Sequence, residues 1–146
     1  MDFQRYEPYQ GLILRVCLGL TLIFWGYEKL TFPKLVNSYI KDYQQFMIVD
    51  VEQFLVVAGI AQIIIGSVMI LGIYTRIWAA SLAAMAIITI IIPGFIILKD
   101  VPYFAYAFAT TGGALILLIQ GAGKYSWDAK QLKRKKFHER MSSTEL

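Results

Sequence analysis

With 146 residues the chain is long enough for one domain and no more. Its 58% apolar and 16% charged residues compare with about 45–50% and about 25% in soluble proteins. A domain this small has too little interior to hide that much apolar surface, so a water-soluble fold is excluded and lipid is the expected solvent. The net charge of +4 is concentrated in the tail, which points to anionic headgroups rather than to nucleic acid.

A helix needs roughly 20 apolar residues to cross the hydrocarbon core. The first such segment covers residues 11–30. It is too long for a signal peptide, carries Arg15, and is followed by no small-x-small cleavage site. Arg15, Gly19, Leu22, Gly26 and Lys29 recur in steps of four and three, so they share one stripe. Glycines on that stripe let a neighbouring helix approach closely. Arg15, near the inner edge, has two readings: a stem that snorkels to the headgroups, or a buried cation bound to a carboxylate or a ligand oxygen. Trp25, Tyr27, Glu28 and Lys29 gather at the outer edge, as an aromatic belt with solvated charges or as a ligand site. Cys17, the single cysteine, has no second thiol to pair with and reads as a small apolar filler.

In the link at 31–53, Val36, Ile40, Tyr43 and Met47 recur at helical spacing. This predicts a short amphipathic helix on the outer membrane surface, with a structureless loop as the alternative. Asp50 followed by Gln53 resembles a helix cap. The second span covers about residues 54–73 and carries Gly59, Gln62, Gly66 and Met69 on one stripe. The Gln62 carboxamide, near mid-membrane, needs a hydrogen-bond partner, either another helix or the polar head of a lipid-soluble ligand.

Tyr74, Thr75 and Arg76 turn the chain tightly into a third span, 77–98, where Pro93 and Gly94 predict a kink. A second short turn at 99–102 leads to the fourth span, 103–120. There Thr110, Thr111, Gly112 and Gly113 suit tight packing or a slot for a flat ring. The expected fold is thus an all-α integral membrane four-helix bundle, antiparallel and up-down, over residues 1–128, with a basic tail at 129–146.

Lys and Arg counts orient it. Arg5, Arg76, Lys124, Lys130, Lys133, Arg134, Lys135, Lys136 and Arg140 fall on one side, against Lys29, Lys34, Lys41 and Lys99 on the other. The first side, with both termini, is therefore cytoplasmic. Trp127, Leu132 and Phe137 are shallow apolar anchors, and the basic run at 133–136 would sit among anionic headgroups, each charge worth about 1 kcal/mol.

No His/Cys cluster, phosphate loop or Ser/His/Asp set is present, and the single His138 lies in the charged tail, so no zinc or haem site is expected. The sequence names no catalytic residue. Spans one and two do not repeat in three and four. Four helices are too thin for an aqueous pore, although a homo-oligomer could build one.

Three motifs carry a family resemblance: Arg15-x-x-x-Gly19 with Gly26-x-x-Lys29-Leu30; Gly72, Ile73, Tyr74, Thr75, Arg76; and Gly121-Ala122-Gly123-Lys124-Tyr125-Ser126-Trp127-Asp128-Ala129. In order and with four spans between them, they resemble the DoxX family. The resemblance implies a four-helix plasma-membrane protein of a bacterium or archaeon. Its relatives include the small subunit of an archaeal thiosulfate:quinone oxidoreductase, so it also implies a quinone ligand and a redox protein partner. Arg15, Gly26, Lys29, Arg76, Ser126 and Asp128 fall on family motif positions, and Asp128 is expected to fold back onto Arg15 or Arg76 and close the bundle floor. Two departures stand out: Gln62 where the family often has Glu, which removes a proton acceptor, and Ala122 for the usual Pro.

Three functions follow from this reading. The first is a membrane subunit of a quinone-linked oxidoreductase or redox-stress system, with Arg15, Trp25, Lys29, Gln62 and Thr110 as ligand candidates. Arg15 or Lys29 would stabilise a quinolate oxygen and Gln62 would orient the ring. The second is a non-catalytic membrane anchor or assembly factor. The third is a small-solute transporter.

Overall fold

The structure is a computed structural model that describes residues 7–97 and 105–144. The turn expected at 99–102, the start of the fourth span, Arg5, and the side chains of Phe137, His138 and Arg140 lie outside the described residues.

The described residues form helices throughout, with no strand among them. Helix α1 runs Glu7–Thr31 and α2 runs Pro33–Tyr43. Pro33 opens α2, where its missing N–H has no helical partner to lose. A 3-10 turn at Gln44–Phe46 leads to α3, Val51–Leu71. Asp50 caps α3, its carboxylate accepting from the Glu52 N–H at 3.0 Å. Gly72 ends α3 in the left-handed region at φ 76°, with its N–H directed at the Val68 and Met69 carbonyls. After a tight turn, α4 spans Thr75–Thr89 and continues as a π-helical segment over Ile90–Ile97. The break expected at Pro93 and Gly94 is therefore a widened helix: position 93 has no N–H to donate, and a wider turn re-pairs the backbone around the gap. Helix α5 covers Tyr106–Gln120. The basic tail is itself a helix, α6, Trp127–Thr144, rich in good helix formers such as Ala129, Gln131, Leu132 and the lysines.

Among the described residues three helices have the length and apolarity to cross a membrane: Tyr9–Thr31, Val51–Leu71 and Thr75–Ile97. Helix α5 is apolar but has 15 described residues, about 22 Å at 1.5 Å per residue. The outward faces are greasy, with Phe24, Val57, Ile77 and Ile119 all well exposed. In water such a surface would be an aggregation hazard; in acyl chains it is the expected covering.

The apolar helices contact one another in a ring, α1 on α3, α3 on α4, α4 on α5 and α5 on α1. The α1–α3 and α4–α5 contacts are by far the most extensive, and α3 meets α4 much less. Leu18, Leu22, Met69, Leu82 and Leu117 fill the centre with Ala79, Ala83 and Ala114. The glycine stripes meet in antiparallel register, Gly19 against Gly66 and Gly26 against Gly59. A methyl on Gly19 would lie 2.7 Å from the Gly66 carbonyl oxygen, and one on Gly59 2.9 Å from that of Gly26. Only glycine permits backbones this close, which is why both stripes carry it.

Candidate functional site

The glycine contacts fix how α1 faces α3, and three residues beyond Gly26 and Gly59 on their helices stand Lys29 and Gln62. The Lys29 Nζ donates to Gln62 Oε1 at 3.0 Å and to the Trp25 carbonyl at 3.2 Å. An ammonium only donates, so the amide oxygen must face it and Gln62 Nε2 turns the other way. It lies 3.8 Å from Met85 Sδ on α4, a weak acceptor.

These groups border a cavity of about 580 Å³ at the end of the molecule where α1 stops and α3 starts. Lys29 and Gln62 supply its polar wall with Glu28; Trp25 and Tyr106 meet edge to face at 5.2 Å beside them. Helix α2 contributes Tyr39 and Tyr43, whose rings lie 5.6 Å apart, and Met47 follows. The opposite wall is α4 through Met85, Ala86, Ile88 and Thr89. The size suits a small ring system, and a mainly apolar lining with a few convergent polar groups is the usual composition of a ligand pocket. Of the three N–H bonds of Lys29, two are committed within the protein. The remaining one and the Gln62 amide make this a donor site, complementary to a carbonyl or oxyanion. Glu28 is the single carboxylate among its lining residues.

The structure thus brings Trp25, Lys29 and Gln62 together and leaves Arg15 and Thr110 out of the cavity lining. The Thr110 hydroxyl donates to the Tyr106 carbonyl at 3.0 Å within its own helix and is buried. Arg15 is buried at the other end of α1, where its Nη2 donates to the Tyr125 carbonyl. Gly72 and Ser126 close over it. Its Nε and Nη1 are buried with no hydrogen-bond partner among the described residues. Arg15 therefore holds the floor together and does not face the cavity.

Asp128 does fold back onto the floor, but onto backbone. Its carboxylate accepts from the Tyr74 N–H at 2.9 Å and the Thr75 N–H at 3.0 Å, and its own N–H donates to the Gly72 carbonyl at 3.2 Å. Among the described residues no hydrogen bond joins Asp128 to Arg15 or Arg76, although its charge acts on the Arg15 guanidinium; the carboxylate oxygens serve as a cap. The first turn of α4 presents unpaired N–H groups and the positive end of the helix dipole, and one carboxylate satisfies two of them. Arg76 instead reaches the Ile119 carbonyl at 3.4 Å. Ser126 caps the next helix, its hydroxyl donating to the Gly123 carbonyl at 2.8 Å and accepting from the Ala129 N–H at 3.1 Å.

The DoxX family model matches residues 11–96 of this chain, more than half its length. The chain belongs to the DoxX family. The match takes in the Arg15–Lys29 stripe, Gln62 and Arg76, and stops short of the closing motif at 121–129. No curated protein and no solved structure matches the chain. In this DoxX protein three of the five ligand candidates read from the sequence, Trp25, Lys29 and Gln62, line the cavity. Met85, Tyr106 and Tyr39 were missed. Met85 passes for an apolar filler and Tyr106 for part of an interfacial aromatic belt. Tyr39 was one i,i+4 step from Tyr43, a signal that would have found it. Among the described residues no cluster of three or more His, Cys, Asp or Glu is placed to hold a metal ion.

Proposed function

We propose that this DoxX protein is a membrane subunit that holds the ring of a lipid-soluble quinone in the cavity beside Lys29 and serves a quinone-linked redox partner. The observation that carries the reading is the Lys29–Gln62 pair, 3.0 Å apart, offering N–H donors inside a mainly apolar pocket. A quinone brings two carbonyl acceptors on a flat apolar ring and supplies the electron-accepting chemistry when bound. Lys29 and Gln62 would donate to one carbonyl, and Trp25 and Tyr106 would flank the ring. With Gln62 in place of a carboxylate, Glu28 is the carboxylate that borders the site. In this reading α5 is the fourth span, both termini are cytoplasmic, and the cavity opens in the outer leaflet of the plasma membrane.

The test is a titration in mild detergent. Protein carrying Trp78→Phe and Trp127→Phe, so that only Trp25 reports, should show saturable fluorescence quenching by a benzoquinone. The Lys29→Met/Gln62→Leu double variant should lose it. Identical flat titrations in both proteins would remove the reading.

A second reading, a non-catalytic anchor for a partner, is favoured by α6, where Lys130, Lys133, Arg134, Lys135 and Lys136 are all exposed. Deleting residues 133–146 should then release a co-purifying protein while the apolar helices stay inserted. Unchanged recovery counts against it.

A further inference from the structure

The cavity has unequal sides, and the inequality says what shape of molecule it takes. On the side toward the aqueous phase it is roofed by α2: Tyr39 and Tyr43 are half-buried over it, with Met47 beside them. The chain that follows, Phe46, Ile48 and Val49, is exposed and apolar. Such a segment belongs in the boundary between headgroups and acyl chains, which would keep α2 lying flat as a cover.

Between α3 and α4 the described residues provide no such cover. These helices share the tight turn at 72–74 and pack sparingly on each other, and the cavity occupies the space between Leu55, Ala58 and Gln62 on one and Met85, Ala86 and Thr89 on the other. Phe54 and Ile88 line the cavity and are also 50% and 53% exposed. The same side chains are thus cavity wall and outer surface, so the pocket has a mouth where lipid tails would lie. Ala58 narrows that mouth least. The donors are deep: Gln62 is buried and lies eleven residues beyond Val51 along α3, about 16 Å below the start of the helix.

We infer that the site takes a single-chain amphiphile sideways from the outer leaflet: an acceptor ring seated on Lys29 and Gln62, and a prenyl chain leaving between α3 and α4 past Phe54, Ala58 and Ile88. This rests on the quinone reading above and adds the ligand's orientation and route. A water-borne acceptor would have to pass the Tyr39–Tyr43 roof, whereas a prenylated ring already resides in the phase that meets the mouth. A two-chain phospholipid shares the acceptor chemistry, but its headgroup belongs at the surface and not beside a mid-membrane carboxamide.

The experiment uses the full chain in lipid nanodiscs and a prenylated benzoquinone with a photoreactive diazirine at the end of its chain. After illumination, cross-links should fall on Phe54, Ala58, Ile88 or Thr89 and be suppressed by excess unmodified prenylated quinone. Ala58→Phe, which narrows the mouth, should weaken the prenylated probe about tenfold and leave a ring-only benzoquinone within about twofold. Four results separate the claims. Cross-links on Tyr39 or Tyr43 overturn the route while the quinone site stands. Equal losses of both probes in an Ala58→Phe protein whose thermal unfolding matches wild type do the same. A ring-only probe that fails to quench Trp25 in the Trp78→Phe/Trp127→Phe protein sinks the site and the route together. A co-purifying phospholipid that prenylated quinone does not displace also overturns the proposal, since it assigns the mouth to another occupant.

Discussion

Lys29 on α1 and Gln62 on α3 are joined by a 3.0 Å hydrogen bond, in a register that the Gly26–Gly59 contact dictates. The pair is therefore set by the packing of two helices and needs no ligand to form. A buried carboxamide and an ammonium satisfy each other and still leave N–H groups over. That is an economical way to keep a polar site inside a membrane.

Removing either partner should show this. Lys29→Met or Gln62→Leu is expected to weaken benzoquinone binding roughly tenfold, the loss of one charge-assisted hydrogen bond. The double variant should lose less than the sum, because each single change already strips the other residue of its partner. Trp25 quenching titrations on the four proteins measure the coupling; strictly additive losses would mean the two residues act apart.

The glycine contacts predict a sharp contrast within one residue type. Gly26→Val and Gly59→Val drive a side chain into facing backbone and should destabilise the protein by about 1–3 kcal/mol or more, with loss of the cavity. Gly112, with nothing within 4 Å of an added Cβ, should accept Ala with a change within about 1 kcal/mol. Thermal unfolding in detergent gives both numbers.

At the floor, Asp128→Ala removes the acceptor for two α4 N–H groups and should cost about 1 kcal/mol, with Asp128→Asn recovering part of it. The loss should appear as earlier tryptic release of α6, with quinone affinity unchanged. Affinity falling in step with the cap would instead tie the floor to the ligand.

Arg15 makes a parallel case. Arg15→Met removes the hydrogen bond to the Tyr125 carbonyl and should lower stability by about 1–3 kcal/mol, while the folded fraction binds quinone within about twofold of wild type. Selective loss of binding in a stable Arg15→Met protein would return this residue to the ligand.

Orientation is tested by labelling. In a Cys17→Ser background, Ile48→Cys should react with a membrane-impermeant maleimide added outside intact cells. Lys136→Cys should react only after the membrane is opened. The reverse pattern inverts the topology.

How much of this was legible follows from what lipid enforces. A polar or small residue in a span has to face protein, so Arg15, Gly19, Gly26 and Lys29, and Gly59, Gln62 and Gly66, announced their inward faces by period alone. The same logic groups Lys29, Gln62 and Trp25, which line one cavity, with Arg15 and Thr110, which do not, because period alone does not say which end of the bundle holds a cavity. Asp128 was read through its charge, and charges suggest partners of opposite sign. The unpaired N–H groups of Tyr74 and Thr75 carry no letter in a sequence. Pro93 and Gly94 signalled a break, whereas the widened helix that absorbs it depends on backbone pairing along Ile90–Ile97.

The two tightly packed helix pairs, α1 with α3 and α4 with α5, touch each other less than each touches itself. They are tied at both ends: at the floor by Arg15 on the Tyr125 carbonyl and by the Asp128 N–H on the Gly72 carbonyl, and beside the cavity by Trp25 against Tyr106 and Gln62 against Met85. The cavity thus lies in the seam between two halves, while both of its donors, Lys29 and Gln62, belong to one of them. Weakening the floor therefore leaves the spacing of the two donors to the glycine contacts that set it.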